Sequence, residues 1–338
     1  MSDGSGPTLV GSWEAEGTDL AAITAAVDGL RHQGEHLATR TSVVNLVVVA
    51  DDERTLGRTA AAMRRLGARH PGRTVLVRPS PEPSGSLGAS IELWEAVAAG
   101  HAIWWEELSL TVGGDAAAHL DSLLTPLVVR HLPVAVWFPG VLPRPGDPLA
   151  AMADAVLVDS RFAEPLGAES ATPRQALVAL TELARRHPVV DLSWKRTSPW
   201  RELLAALFEP PQLRGFQLGV AAARLAGQPG PRRLLAGWVA DRLNLAEDIV
   251  ATEDAVHASI ELDAVSGGRR GRFVVRRVGD EPLVDATAEV DGEQLVSLRR
   301  QLPEHGLTWS LAQALSRLER DRIYEHALRR ALGWRVPA

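Results

Sequence analysis

Cysteine is absent from this chain, which excludes disulfides, thiolate zinc sites, thiol nucleophiles and any cysteine redox switch within it. Lysine is almost absent: of 36 basic residues only Lys195 is a lysine. A phosphate-binding loop of the Walker type needs a lysine after a run of glycines, and Lys195 follows Trp194 instead. No apolar run reaches the ~18 residues of a membrane span. The polar start, Met1 to Thr8, has neither the basic nor the apolar region of a secretory signal. A cytoplasmic protein is the expectation. The net charge is only −6 and no basic run is unbroken, so a groove tracking nucleic-acid phosphates is disfavoured. No Gly-x-Gly-x-x-Gly follows a strand, and no Gly-x-Ser-x-Gly elbow occurs. No cofactor is expected.

With 338 residues, 46% of them hydrophobic, the chain is long enough for two domains of ordinary size. Tryptophan is the compositional anomaly, because ten Trp outnumber five Phe and one Tyr combined. Two Trp-bearing segments stand out. Leu132-Pro-Val-Ala-Val-Trp-Phe-Pro-Gly140 reads as a buried strand stopped by a Pro-Gly turn, and Asp191-Leu-Ser-Trp-Lys-Arg-Thr-Ser-Pro-Trp-Arg-Glu-Leu-Leu204 as a cationic, indole-rich run feeding a helix.

Periodicity predicts an α/β chain. Leu20, Ile23, Val27 and Leu30 share a helix face, and Ser42 to Ala50 is a β-branched run suited to a strand covered on both sides. A helix over Glu53 to Leu66 and a strand over Arg73 to Arg78 complete a βαβ unit. Period two over Leu87 to Trp94 and Ala102 to Val112 predicts two antiparallel strands joined near Gly100. One helix is expected over Asp115 to Arg130, then strands over Pro133 to Phe138 and Ala155 to Val158. Beyond the helix opened by Pro173, Gly215 to Ala226 is ambiguous between strand and helix. A helix over Arg232 to Leu243, three hairpin-linked strands between Val256 and Val290, and one long helix over Thr308 to Leu332, with Ile323 inward, follow. The organisation expected is a tail and helix over 1–39, a mixed-sheet α/β domain over 40–190 and a smaller α+β domain over 191–338.

The chemistry candidates are few. His32-Gln-Gly-Glu-His36 matches a zinc-protease pattern, but Gly34 interrupts the helix that would align the two histidines. Glu106 and Glu107 adjoin on a strand, which sends them to opposite faces, one solvated and one paired with Arg. Asp159 and Ser160 end a strand, where α/β sheets commonly bind ligands, and turn capping is the plainer reading. In the Asp191 run, either the indoles cover a domain junction, or Trp194, Lys195, Arg196, Trp200 and Arg201 present a patch to another protein, since Trp and Arg are enriched at interface anchors. Trp137 and Phe138 are added as candidates for that contact.

These segments carry a resemblance. Arg40 to Val49, Leu132 to Gly140, Val158-Asp-Ser160, Asp191 to Leu204, Leu234-Leu-Ala-Gly-Trp-Val-Ala-Asp-Arg-Leu243 and Asp321-Arg-Ile-Tyr324 resemble, in order and spacing from about residue 40 to 330, the glucose-6-phosphate dehydrogenase assembly protein (OpcA) family. The resemblance implies a protein that is not an enzyme and that binds glucose-6-phosphate dehydrogenase, promoting its active assembly in the oxidative pentose phosphate pathway and so NADPH supply. The family's cysteine-based redox control does not carry over to a chain without cysteine. The rival expectation is a sugar-phosphate- or nucleotide-binding enzyme or sensor with its site near Asp159 and Ser160.

Overall fold

The structure is a computed structural model and describes residues 6–34, 42–80, 87–98, 100–161, 164–165, 172–302 and 306–333. Chain order begins β1 (Thr8–Thr18), α1 (Leu20–Gly34), β2 (Val44–Val49), α2 (Glu53–Leu66), β3 (Gly72–Pro79), β4 (Leu87–Ala98), β5 (His101–Val112), α3 (Leu120–Leu124), β6 (Val134–Trp137), β7 (Val141–Leu142), α4 (Pro148–Met152) and β8 (Ala155–Val158). It continues with β9 (Glu164–Pro165), α5 (Pro173–Arg186), β10 (Val189–Asp191), α6 (Leu192–Arg196), α7 (Ser198–Leu207), α8 (Pro211–Arg214), β11 (Val220–Gly227) and α9 (Pro229–Leu243). It ends with β12 (Val250–Asp254), β13 (Ser259–Ser266), β14 (Arg269–Arg277), β15 (Leu283–Val290), β16 (Glu293–Gln301), α10 (Leu307–Leu315) and α11 (Arg322–Gly333). The chain folds as two units: Met1–Val158 with Arg186–Val190 and Gly306–Arg320, and Asp159–Arg185 with Asp191–His305 and Asp321–Ala338.

The first unit is built on an eight-stranded mixed sheet of order β1-β4-β5-β3-β2-β6-β8-β10. Its central strands β5, β3, β2, β6 and β8 run parallel, while β4 is antiparallel to both β5 and β1. Burial of five of the six residues of β2 explains its continuous apolar run. Helix α2 starts where the Asp52 carboxylate accepts from the Thr55 N–H at 2.7 Å, and it buries Leu56, Ala60, Met63 and Leu66. At its end the Trp105 ring occupies the space a Cβ on Gly67 would need.

The second unit is an α+β layer. Its six-stranded sheet, β12-β11-β13-β14-β15-β16, is antiparallel except for the β11–β12 pair. Its core contains Trp200, Leu203, Leu207 and Phe208 of the α7 segment, with Phe216 and Phe273. The Phe208 and Phe273 rings stack at 4.3 Å, an arrangement that adds to their area burial. Where α9 meets α11, the Ala327 carbonyl occupies the space of a Cβ on Gly237, so glycine permits that close approach.

The mixed α/β class with a second α+β layer is the one expected, and the departures have local causes. The helix expected over Asp115 to Arg130 shortens to α3 between two 3₁₀ turns, because Pro126 lacks an N–H and obstructs the preceding turn. The long last helix is two, α10 and α11. Asp321 restarts the chain by accepting from the N–H groups of Ile323 and Tyr324, both at 3.0 Å. Ile323, expected inward, is 42% exposed. Gly215 to Ala226 resolves into a 3₁₀ turn and β11. Strands β1, β7, β9, β10, β12 and β16 have no counterpart in the periodicity; β1 lies where a tail is expected and instead pairs with β4. Strand β16 is an edge strand with a bulge at Leu295 relative to β15, so its alternation is broken. Its hairpin turn, Asp291-Gly292, has φ of 53° and 86°, the left-handed pair that an Asp-Gly turn supplies.

Candidate functional site

The Asp191 run and the Asp159 turn meet within the second unit. Asp159 sits 2.5 Å from the Arg196 guanidinium through both carboxylate oxygens, and it accepts from the Ser193 hydroxyl at 2.6 Å. Asp191 caps α6 by accepting from the Ser193 N–H at 2.9 Å, and it also accepts from the Ser160 N–H at 3.1 Å. Its other oxygen receives the hydroxyl of Tyr324, the sole tyrosine, at 3.2 Å. Capping is therefore the observed role of this turn: Asp159 also accepts from the Arg161 N–H at 3.3 Å. The ligand-site expectation at Asp159 and Ser160 meets a carboxylate already engaged by Arg196 and Ser193.

Trp194 is the hub of the adjoining layer. Its indole is 2% exposed and donates to Asp321 at 2.8 Å. The Arg201 guanidinium lies 3.4 Å over its ring and also donates to its carbonyl at 2.8 Å. The Tyr324 ring stands 5.7 Å away. Burial holds the Arg201 guanidinium down at about 10, opposed by Asp321 and Glu202, so it remains a cation at neutral pH. Trp200, 6% exposed, donates to the Ala258 carbonyl at 2.8 Å.

At these positions of the expected partner-facing patch the two indoles face inward. Trp194 and Trp200 turn into the second unit because each indole N–H finds an internal acceptor and each ring buries apolar area. Of the run's candidates only Lys195, Arg196 and Arg201 are half-buried rather than buried, and Arg196 and Arg201 direct their guanidinium groups inward. Trp137 and Phe138, in the first unit, are 4% and 5% exposed. Trp137 pairs with Val48 and Leu157 in the sheet, and the Phe138 N–H donates to the Leu157 carbonyl at 3.3 Å. Sequence reasoning gave Asp191 and Tyr324 no role in a shared site. The signal available was the Asp321-Arg-Ile-Tyr324 motif, whose Asp and Tyr both close on the Trp194 layer.

Glu106 and Glu107 do lie on opposite faces, but neither is solvated. Glu106 binds Arg31 and Arg73, and Glu107 binds Arg64, since at 9% and 4% exposure each buried carboxylate requires its own cation. Among the described residues no three His, Asp or Glu side chains gather as a metal set. His32 has Nδ1 at 2.6 Å from the Asp28 carbonyl, and His36 lies outside the described residues.

Asp191 has the most perturbed carboxyl of the cluster. Burial, then the nearby Asp159 charge, raises it to about 6, against the hydrogen bonds from Ser160 and Ser193. The same burial, reinforced by Asp191, keeps the Tyr324 phenol protonated. Because the folded value lies above the unfolded one, the contribution is fully present below pH 4 and is lost as pH rises through 6. The loss amounts to about 3 kcal/mol. Asp191→Asn keeps the acceptor without the charge, so its stability relative to the parent should improve by about that much between pH 4 and pH 8. Urea unfolding at both pH values measures it, and a constant difference between the two proteins refutes it.

Comparison with known proteins follows this geometry. Residues 63–187 match the family model described as the glucose-6-phosphate dehydrogenase subunit N-terminal domain, and residues 187–328 match its C-terminal counterpart. The chain is similar to an OxPP cycle protein OpcA of Synechocystis, 25% identical over 250 residues, or 69% of this chain and 49% of the relative. It is similar to the proteins of that name from Nostoc punctiforme, 30% identical over 40% of this chain and 29% of the relative, and from Synechococcus elongatus, 23% identical over 62% and 55%. It thus spans about half the length or less of these relatives. Among the described residues no helix is long and apolar enough to cross a membrane. With its two domain models adjoining at His187 and running without a break from residue 63 to 328, the chain belongs to the OpcA family of glucose-6-phosphate dehydrogenase assembly proteins.

Proposed function

We propose that this protein is a non-enzymatic assembly factor that binds glucose-6-phosphate dehydrogenase and activates it by favouring its active oligomer, in the oxidative pentose phosphate cycle. The observation that carries this reading is the pair of dehydrogenase-subunit domain models over residues 63–328. The geometry supports it. The carboxylates and cations of the Asp159 and Asp191 cluster are engaged with one another, as in a structural lock.

An activator shifts an assembly equilibrium only by binding the active form more tightly, and a preference of about 1.4 kcal/mol gives a tenfold shift. The test is titration of this protein into its cognate dehydrogenase, recording particle mass and reaction rate together. A larger particle with a raised rate is expected. Unchanged mass and rate overturn the proposal, and a larger particle with unaltered kinetics reduces it to scaffolding. The sugar-phosphate reading would instead appear as a rise in the isolated protein's melting temperature on adding glucose 6-phosphate or a nucleotide.

A further inference from the structure

In the first unit one face of the sheet beyond α2 carries an open groove of about 360 Å³. Register fixes what faces it. Glu14 lies across from Ser90 and Ser12 from Glu92, and Glu92 lies across from Glu107, the partner of Arg64 on α2. These residues therefore share the α2 side of the sheet. The floor is small, with Gly57 and Ala60 from α2 and Gly88 to Ser90 from β4, so it admits side chains from outside.

The charges in the groove are unbalanced. Among the described residues its two cations are already committed: Arg64 to Glu107 and Glu92, and Arg78 to Glu53 and Thr111. Glu14 and Glu16 line the same groove, are exposed, and have no ion-pair partner among the described residues. Both stand on β1, the end strand of the sheet, whose outer edge offers backbone N–H and C=O groups for pairing. Bulges between Leu9 and Gly11 and between Ala15 and Thr18 leave the stretch from Gly11 to Ala15 in regular register.

We propose that β1 and this groove are a docking surface for a short extended segment of the protein partner that carries Arg or Lys at alternate positions. An added strand would pair with the β1 edge and drop every second side chain over the groove, beside Glu14 and Glu16. Charge complementarity selects the occupant: a segment with cations at those positions supplies the charge the two glutamates lack, and an anionic one is repelled. This rests on the reading above, in which the partner is the dehydrogenase.

The experiment is the same titration with the full-length chain and three variants. Glu14→Arg/Glu16→Arg should weaken the complex at least about tenfold, and Glu14→Gln/Glu16→Gln less but in the same direction. Raising the salt should weaken the parent more than the reversed variant. Glu293→Arg, an exposed reversal on β16, controls for general charge and should leave affinity within about twofold. Thermal melts of the β1 variants should stay close to the parent, because among the described residues neither exposed glutamate makes a hydrogen bond or an ion pair. If the parent fails to bind the dehydrogenase, the functional reading fails and the docking proposal with it. If the parent binds and the Glu14/Glu16 variants bind equally well, or Glu293→Arg weakens binding as much, the docking proposal alone fails.

Discussion

Replacing Trp194 by alanine should destabilise the protein by about 3–5 kcal/mol, the range for removing a large buried aromatic side chain from a core. The indole is 2% exposed and holds three partners at once: Asp321 through its N–H, Arg201 over its face and Tyr324 beside it. Its loss opens a cavity, leaves a half-buried guanidinium without its ring, and takes a hydrogen bond from the carboxylate that caps α11. Total stability of a domain is only about 5–15 kcal/mol, so a large fraction would vanish. Denaturant unfolding followed by tryptophan fluorescence gives the number. A purely partner-facing Trp194 would produce the opposite pattern, with the unfolding midpoint unmoved and dehydrogenase binding lost. That result would reject the core assignment.

Arg196→Ala is expected to cost about 3 kcal/mol, because it leaves the buried Asp159 carboxylate with only the Ser193 hydroxyl and the more distant Arg161 guanidinium, at 4.0 Å, to balance it. Asp159 and Arg196 have side chains only 10% and 14% exposed, so neither is well solvated when alone. The distinguishing measurement is the double-mutant cycle. Asp159→Asn in the Arg196→Ala background should recover a large part of the loss, since a neutral amide needs no counter-charge. An additive double mutant would show that the pair is energetically independent despite its 2.5 Å contact.

The elements themselves were legible where local rules and tertiary demands coincide. Helix α2 has its cap at Asp52, its stripe from Leu56 to Leu66 and its stop before Gly67, and it was read to the residue. Strand β16 was not, because an exposed, bulged edge strand need not alternate. The break between α10 and α11 is not legible in the sequence, because a capping Asp321 within a helical pattern gives no stronger signal than a surface aspartate.

The site divides in the same way. Trp and Arg in close succession are statistically an interface signature, and the sequence from Asp191 to Arg201 contains nothing that says which way its indoles turn. That direction depends on Asp321, more than a hundred residues downstream, and on Tyr324 beside it. The groove at Glu14 and Glu16 was invisible for a related reason. It exists because β1 pairs with β4 at the end of the sheet, a long-range choice that no local pattern encodes.

By itself the sequence determined the two-domain α/β character, the membership in the OpcA family and the absence of thiol chemistry, since composition, periodicity and ordered motifs are properties of the chain. Tertiary structure decided which tryptophans are core, which carboxylates are paired and which strand ends the sheet. Those outcomes depend on contacts between residues far apart in the chain, where a buried indole or carboxylate is tolerated only if the fold delivers its partner.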